Sequence, residues 1–484
     1  MLKPVEFADF KGLDLRVDPQ QVSPAGAVDM LNVELDTRGR VRTRDGIGLL
    51  YTAPASINAI WGWKERNRVA VQTGSNIYSV STLAGTSSGN TATTDALLDA
   101  VDFEGVLYLA AGSSGLKKLT EAGAYSAVGG SSPAVAYSVA VQTPDRRIAV
   151  ADGSGRVNFS DPGDPTTFGA NNYVEIAPAS STITLVNWND LLFAFVVDEI
   201  FVFYGNSVDS AGEPIFNYRK VSGEIGVSNA RYSTSDPYSI WRAAAVAPDG
   251  VYFVNSRGVW RTTGGPPQLV STPLSPLFDG RSPLYFTPLA SNGIGNHPNM
   301  PLVAGDRLYY NCNSSDTFVY SLDTQKWEHH AWVLSAAYKW PRAIGIVYEG
   351  GTSVPHERPL FFSGTGLYVS GPSYTADAGG AIASSYRSGF FSPGAAGAES
   401  HVREWLVDGI GTVDFKTAQN DSATLGAAAS LTLGTSPAVA QARDRRAVRG
   451  RNFSFQVGAS SGAWSVSRVI ANVANQRGPG EKSS

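Results

Sequence analysis

Apolar residues in this chain come in short blocks separated by Gly, Asn, Ser, Asp and Pro, and the block pattern repeats. Its clearest unit spans residues 241–263, WRAAAVAPDGVYFVNSRGVWRTT. Three strands are predicted there, over 243–246, 251–255 and 259–263, joined at Pro248-Asp249-Gly250 and Ser256-Arg257-Gly258, where short hairpin loops need turn formers. In the middle strand Val251, Tyr252, Phe253 and Val254 are apolar at consecutive positions, so both faces of the pleat must be covered. A small antiparallel sheet covered on both faces is the situation of a propeller blade between its neighbours.

The same coupling of an apolar strand to a return strand recurs at 68–81, 101–120, 146–161, 189–205, 247–263, 306–330 and 358–371. The spacing of roughly 40 to 60 residues matches one blade plus variable insertions. A flat series of such sheets would leave two apolar faces and several strand edges in water, which favours closure into a ring over an open run of β-meanders. The expectation is an all-β protein with a β-propeller of about seven irregular blades over 53–372. A short N-terminal helix and hairpin segment over 1–52 precedes it. A Gly- and Ala-rich linker over 373–384, a C-terminal β-sandwich over 385–474 and a disordered tail over 475–484 follow.

Within the first segment, Ser23-Pro24 before AGAVDML has the form of an N-cap with proline at the first helical position, and predicts about two turns of helix. Residues 32–46 alternate along a strand, turn at Arg38-Gly39 and return, which puts Arg40, Arg42 and Arg44 at period two on one face. These three are either a solvated edge balanced by Glu34 and Asp36 or contacts to a phosphate or a partner surface. In the last part, strands are predicted over 386–391, 402–407, 413–416, 453–457 and 464–470, with 421–442 as an extended, mobile excursion. The densest charge cluster, RDRRAVRGR, carries Arg443, Arg445, Arg446, Arg449 and Arg451. Guanidinium groups so placed could bind phosphate or an acidic partner, or be balanced locally by Asp444 and other acids.

Composition sharpens this outline. A chain of 484 residues exceeds what one hydrophobic core usually serves, and 51 Gly, 27 Pro and only 17% charged residues favour turns and strands over long helices. The formal net charge of -4 supplies no overall basic field for nucleic acid or an acidic membrane, so any DNA contact must be local. The single cysteine, Cys312, excludes an intrachain disulfide and a cysteine-cluster metal site, and suits a reducing cytoplasm. The N-terminus has no export signal pattern, and the apolar run at 191–197 falls far short of the roughly 20 residues of a membrane-spanning helix.

Catalytic patterns are sparse, and no enzyme, cofactor or metal site is expected. The histidines His297, His329, His330, His356 and His401 form no zinc-ligand spacing, and Glu328-His329-His330 ends a predicted strand, where a solvated position is expected. No nucleophile elbow or phosphate-binding glycine loop is present. Asp152-Gly153-Ser154-Gly155 is a hairpin turn rather than a calcium loop, since further acids are missing. Trp61, Trp63, Trp188, Trp241, Trp260, Trp327 and Trp405 are expected to pack blades.

Several segments together resemble a known family. Asp18-Pro19, Ser23-Pro24-Ala25-Gly26, Asn32-Val33, Asp36, Gly39, Arg42, Arg44 and Gly46 are similar to the opening of tail nozzle (tail tubular) proteins of short-tailed bacteriophages. The stretch from Asn158 to Phe168, the Gly223–Val227 segment followed by Gly250-Val251-Tyr252-Phe253 and Gly258-Val259-Trp260, and Arg449 to Phe455 leading into Trp464-Ser465-Val466 resemble later parts of such proteins. The resemblance implies a structural virion protein, assembled in the host cytoplasm. It would form a six-fold ring of itself below the adaptor and portal, retain the genome, pass DNA during ejection and contact tail fibre or needle proteins. No family catalytic residues carry over, and the chain lacks a coiled or helical needle segment. The competing class is a carbohydrate-binding or carbohydrate-degrading propeller of a phage tail, which requires a carboxylate pair or aromatic platform in one pocket.

Overall fold

The computed structural model of the chain describes residues 2–16, 21–143, 145–178, 183–208, 214–227, 243–278, 301–311, 316–332, 334, 343–348, 354–393, 399–420, 422, 424–435 and 440–475. Cys312, His297, Trp241 and residues 476–484 of the expected tail lie outside them.

Each of the repeated strand couplets forms the centre of one antiparallel sheet. Blade 1 is Ile57–Trp63, Arg68–Thr73, Asn76–Ser81 and Ser87–Ala92, and blade 2 is Asp99–Phe103, Val106–Ala110, Leu116–Leu119 and Tyr125–Ala127. Blade 3 is Ser138–Gln142, Arg147–Ala151, Arg156–Phe159 and Tyr173–Glu175; blade 4 is Thr184–Trp188, Leu191–Val196, Glu199–Val208 and Pro214–Ser222. Blade 5 is Ala244–Ala247, Gly250–Asn255, Gly258–Thr262 and Gln268–Leu269, and blade 6 is Pro301–Ala304, Arg307–Asn311, Asp316–Ser321 and Lys326–Ala331. Blade 7 has Ala343–Tyr348, Pro355–Ser363 and Gly366–Gly371, and takes its fourth strand, Gly46–Thr52, from the other end of the chain. The first strand of each blade packs against the first strands of its neighbours, and that of blade 7 meets that of blade 1, so the ring closes.

Closure follows from the consecutive apolar positions. In the middle strand of blade 5, Val251 and Phe253 face blade 4, while Tyr252 and Val254 face blade 6. The same alternation fills every seam, one buried cluster between each pair of neighbouring blades.

The N-terminal residues do not stand apart as a helix and hairpin. The helix expected after Ser23-Pro24 is instead a strand, Ala27–Leu31, antiparallel to Ser384–Ser388. Val28 and Met30 fit a buried sheet, and this tertiary pairing overrides the local start signal. The hairpin forms as expected, Val33–Leu35 against Val41–Thr43, with Gly39 at φ +72 in its turn. These strands, with Leu2–Phe7, complete two sheets whose other members come from residues 384–475. The sandwich is therefore built from both ends of the chain. Its core packs Trp405 against Phe415 and Phe455, with ring centroids 5.5 and 6.0 Å apart. The stretch 421–442 contains strand Ala429–Thr432 and the start of Ala440–Asp444, which pair with Thr412–Gln419 and Ser400–Ile410, so it is not wholly an excursion. The expected linker likewise holds a small hairpin, Ala376–Asp377 with Gly380–Ala381, laid against Gly46–Thr52.

Candidate functional site

The densest gathering of functional-type side chains lies where the sandwich meets blade 6. Asn32 sits between Ala27–Leu31 in one sandwich sheet and Val33–Leu35 in the other, at φ +53, a conformation Asn tolerates better than most residues. Its amide Nδ2 donates to Ala383 O at 2.9 Å; its Oδ1 accepts from Ala331 N at 2.7 Å and Arg44 Nε at 2.9 Å. Its backbone N–H donates to His329 O. One residue thereby ties the sheet-to-sheet crossing to the outer strand of blade 6.

Arg44 and Asp377 meet just beyond, both side chains wholly buried. Their two hydrogen bonds, Nη1 to Oδ1 at 2.8 Å and Nη2 to Oδ2 at 2.5 Å, make a bidentate pair. The remaining donors of the guanidinium reach Asn32 Oδ1, Asp45 O and Ala331 O, and its flat face lies 3.9 Å from the Trp332 ring centroid. All five N–H groups of Arg44 are satisfied.

A second network continues from it. Glu34 Oε2 accepts from Arg42 at 2.7 Å and lies 3.4 Å from Arg307 Nη2, while Arg307 Nη1 donates to Glu328 Oε2 at 2.6 Å. Glu328 Oε1 accepts the backbone N–H of Leu35, and His330 stands 3.5 Å from Glu328 Oε2. Glu328, His329 and His330, expected as a solvated strand end, are all buried, because the sandwich strands lie over Lys326–Ala331. His329 bridges Met30 O and Asp316 Oδ1, at 3.0 and 2.7 Å. Burial by itself would raise the Glu34 carboxyl, but the Arg307 and Arg42 guanidiniums outweigh it and hold it at about 2. Burial lowers His330 below its ordinary 6.5 in spite of Glu328.

These shifts give stability a direction with pH. An unfolded Glu34 takes up its proton near 4.5 and a folded one only at about 2, so acidification below ~4.5 favours the unfolded chain, on the order of 3 kcal/mol from this residue. His330 acts the same way from about 6.5 downwards, since the unfolded chain binds that proton more readily. Asp102, pushed up to about 6 by burial with help from the charge of Glu65, works against both around that pH. The thermal midpoint is expected to fall below pH ~4.5, and Glu34→Gln to flatten that fall; a fall of equal slope in the variant would remove Glu34 from the account.

The arginine rows divide accordingly. Arg40 pairs with Asp36 at 2.6 Å and half-exposed Arg42 with Glu34, but Arg44 leaves their shared solvated face for the interior. In the second cluster Arg446 forks onto Asp444 and reaches Phe415 O at 2.9 Å, Arg449 pairs with Glu399 at 2.8 Å, and Arg443 lies 3.5 Å from Glu404. Arg445 and Arg451 are exposed, with no side-chain partner among the described residues. The segment Asp152–Gly155 is the expected turn, with Asp152 Oδ1 accepting from Ser154 N at 2.9 Å.

The propeller axis holds a cavity of about 250 Å³ lined by Gly62, Lys64, Asp99, Ala245, Val246 and Ile344. Lys64 is paired with Glu357 at 2.8 Å, and Asp99 Oδ2 accepts from Ser138 Oγ at 2.7 Å and Val139 N at 3.0 Å. Both charged groups of the lining are thus engaged in holding blades together. Trp61, Trp63 and Trp327 are buried in seams as blade-packing residues, while Trp405 belongs to the sandwich core.

No protein-family model matches the chain, and no curated protein does. Among solved structures it is similar to a streptogramin B lyase, with a TM-score of 0.43 at 10% identity over 68% of this chain and 98% of that one. It is similar also to the WD40 repeats of RRP9, with a TM-score of 0.42 at 8% identity over 68% of this chain and 99% of that one. The propeller assignment rests on the strand ladders and on the closed ring of inner strands.

Proposed function

We propose that the protein is a structural subunit of a phage tail, a nozzle ring below the adaptor and portal that retains the packaged genome and passes it during ejection. The observation carrying this reading is the junction itself: a sandwich made from both chain ends is fixed to blade 6 by buried contacts, Glu34 with Arg307, Leu35 N–H to Glu328 and Arg44 to Ala331 O. Such a joint holds two folded parts at one angle, as a ring subunit under load requires. The residues behind the family resemblance support the same reading, since Asn32, Asp36, Gly39, Arg42 and Arg44 build this joint and its hairpin. The axial cavity of about 250 Å³ is smaller than an ordinary small-molecule pocket, so duplex DNA does not thread one propeller. The DNA channel is enclosed between copies, and a near-neutral subunit charge of -4 lets DNA slide. Arg445 and Arg451 project from the sandwich towards an acidic surface of a neighbouring copy or of the adaptor.

The test is to image the full-length protein alone and mixed with adaptor and portal. A six-fold ring with an open channel is expected, and Arg445→Glu with Arg451→Glu is expected to weaken its assembly by about ten-fold or more while leaving the monomer folded. A protein that stays monomeric with every virion component, and instead binds or cuts a polysaccharide, would overturn the proposal.

A further inference from the structure

The seam between blades 3 and 4 is apolar over most of its length, filled by Ala140, Ala149, Phe159, Leu185, Leu192 and Phe203. At one end its character changes. Gln142 shares the face of Ala140 and pairs across the ladder with Arg147, which shares the face of Ala149. Asn187 shares the face of Leu185 on the inner strand of blade 4. Period two therefore sends all three side chains into the same seam.

Several of their polar atoms are left without partners there. Gln142 is 0% exposed and neither amide atom makes a hydrogen bond; Arg147 Nε, Asn187 Nδ2 and Asp145 Oδ2 are likewise buried and unpaired. Arg147, 5% exposed, donates from Nη1 to Ser160 O at 2.6 Å and lies 5.5 Å from the Phe216 ring centroid. Asp145 and Asp161 act on its charge through space, without an ion pair among the described residues. Thr143 Oγ1 donates to Asn187 Oδ1 at 3.2 Å, which leaves the Asn187 amino group free. Folded proteins rarely strand so many buried polar atoms together, and a buried guanidinium lacking a carboxylate is costly unless something else meets it.

We propose that this end of the blade 3–4 seam binds a small oxyanion, a carboxylate or phosphate group, held by Arg147, Gln142 and Asn187. The site offers a cation and three N–H donors, the set a planar or tetrahedral oxyanion takes up. Gln142 Oε1 and Asp145 Oδ2 accept from a hydroxyl beside the acid group, so a hydroxy acid or a protonated phosphate fits better than a bare carboxylate. Entry lies at the strand ends, where Thr143, Asp145 and Asn187 are half-exposed.

Calorimetric titration of the full-length protein with inorganic phosphate, acetate and glycolate, at ionic strength fixed by chloride, tests this. One saturable site is expected, and comparing phosphate with glycolate decides which oxyanion it prefers. Gln142→Leu is expected to weaken binding by about ten-fold or more without lowering the thermal midpoint, since an apolar side chain of similar size strands no amide. Arg147→Met is expected to abolish binding, and Arg451→Ala to leave it intact. Absence of saturable binding by all three probes, or binding lost in Arg451→Ala but kept in Gln142→Leu, would overturn the site.

Discussion

Replacing Arg44 by methionine is expected to destabilise the protein by about 3–5 kcal/mol, the usual consequence of stranding one member of a buried ion pair. Asp377 would remain wholly buried without its counter-charge, and Asn32 Oδ1, Asp45 O and Ala331 O would each lose a donor. Arg44→Lys is expected to recover only part of this, because an ammonium cannot fork onto both carboxylate oxygens while reaching Asn32 and stacking on Trp332. The double variant Arg44→Met with Asp377→Leu separates two explanations. If the cost lies in the orphaned charge, the pair replaced together regains most of the loss; if it lies in the lost donors to the backbone, it does not. Urea unfolding followed by tryptophan fluorescence reads this directly, with Trp332 against the altered side chain. A single variant costing under about 1 kcal/mol would show that the joint does not depend on this pair.

The propeller was legible in the sequence because its determinants are local. Turn formers at fixed offsets and runs such as Val251 to Val254 specify a hairpin covered on both faces, whatever lies next to it. What the chain ends do was not legible, because pairing between residues hundreds of positions apart leaves no local periodicity. Ala27–Leu31 carries a good helix start, and only its partner Ser384–Ser388 makes it a strand. Arg40, Arg42 and Arg44 look equivalent at period two, yet only Arg44 is itself buried, against Asp377, which the sequence places in a linker. The network at Glu34, Arg307 and Glu328 escaped for the same reason, though Lys326 to His330 held a signal: four polar or charged residues around one Trp suit a strand facing a second folded part better than a free edge. The seam site of Gln142, Arg147 and Asn187 had no sequence signature, since each is an ordinary residue at a strand end and only closure of the ring brings them together.

A chain beginning at residue 53 is expected not to fold. The deletion removes the fourth strand of blade 7 and the strands that complete both sandwich sheets, exposing the edge of Gly366–Gly371. It also removes Phe7, Phe10, Leu13, Met30, Val33, Leu35, Val41 and Ile47, all buried. At roughly 1.5–3 kcal/mol for each large side chain, that loss matches or exceeds a typical net stability of about 5–15 kcal/mol. Failure alone would not distinguish a requirement for these strands from a requirement that they come first. The register supplies the control: Leu2 pairs with Ala474, so the first and last strands of the chain run side by side. A permuted chain opened at the exposed turn Pro54-Ala55-Ser56, with its old ends joined by a short flexible linker, keeps every strand and moves only the break. It is expected to unfold cooperatively with a midpoint close to that of the natural order, while the truncated chain aggregates. If the truncated chain folded with an unchanged midpoint, Gly46–Thr52 would be an accessory strand, and the ring would be closed by the inner strands of blades 7 and 1 alone. If the permuted chain failed as well, the covalent link between Gly46–Thr52 and Ile57–Trp63 would be what draws blade 7 onto blade 1 during folding, and closure would depend on chain order as much as on strand pairing.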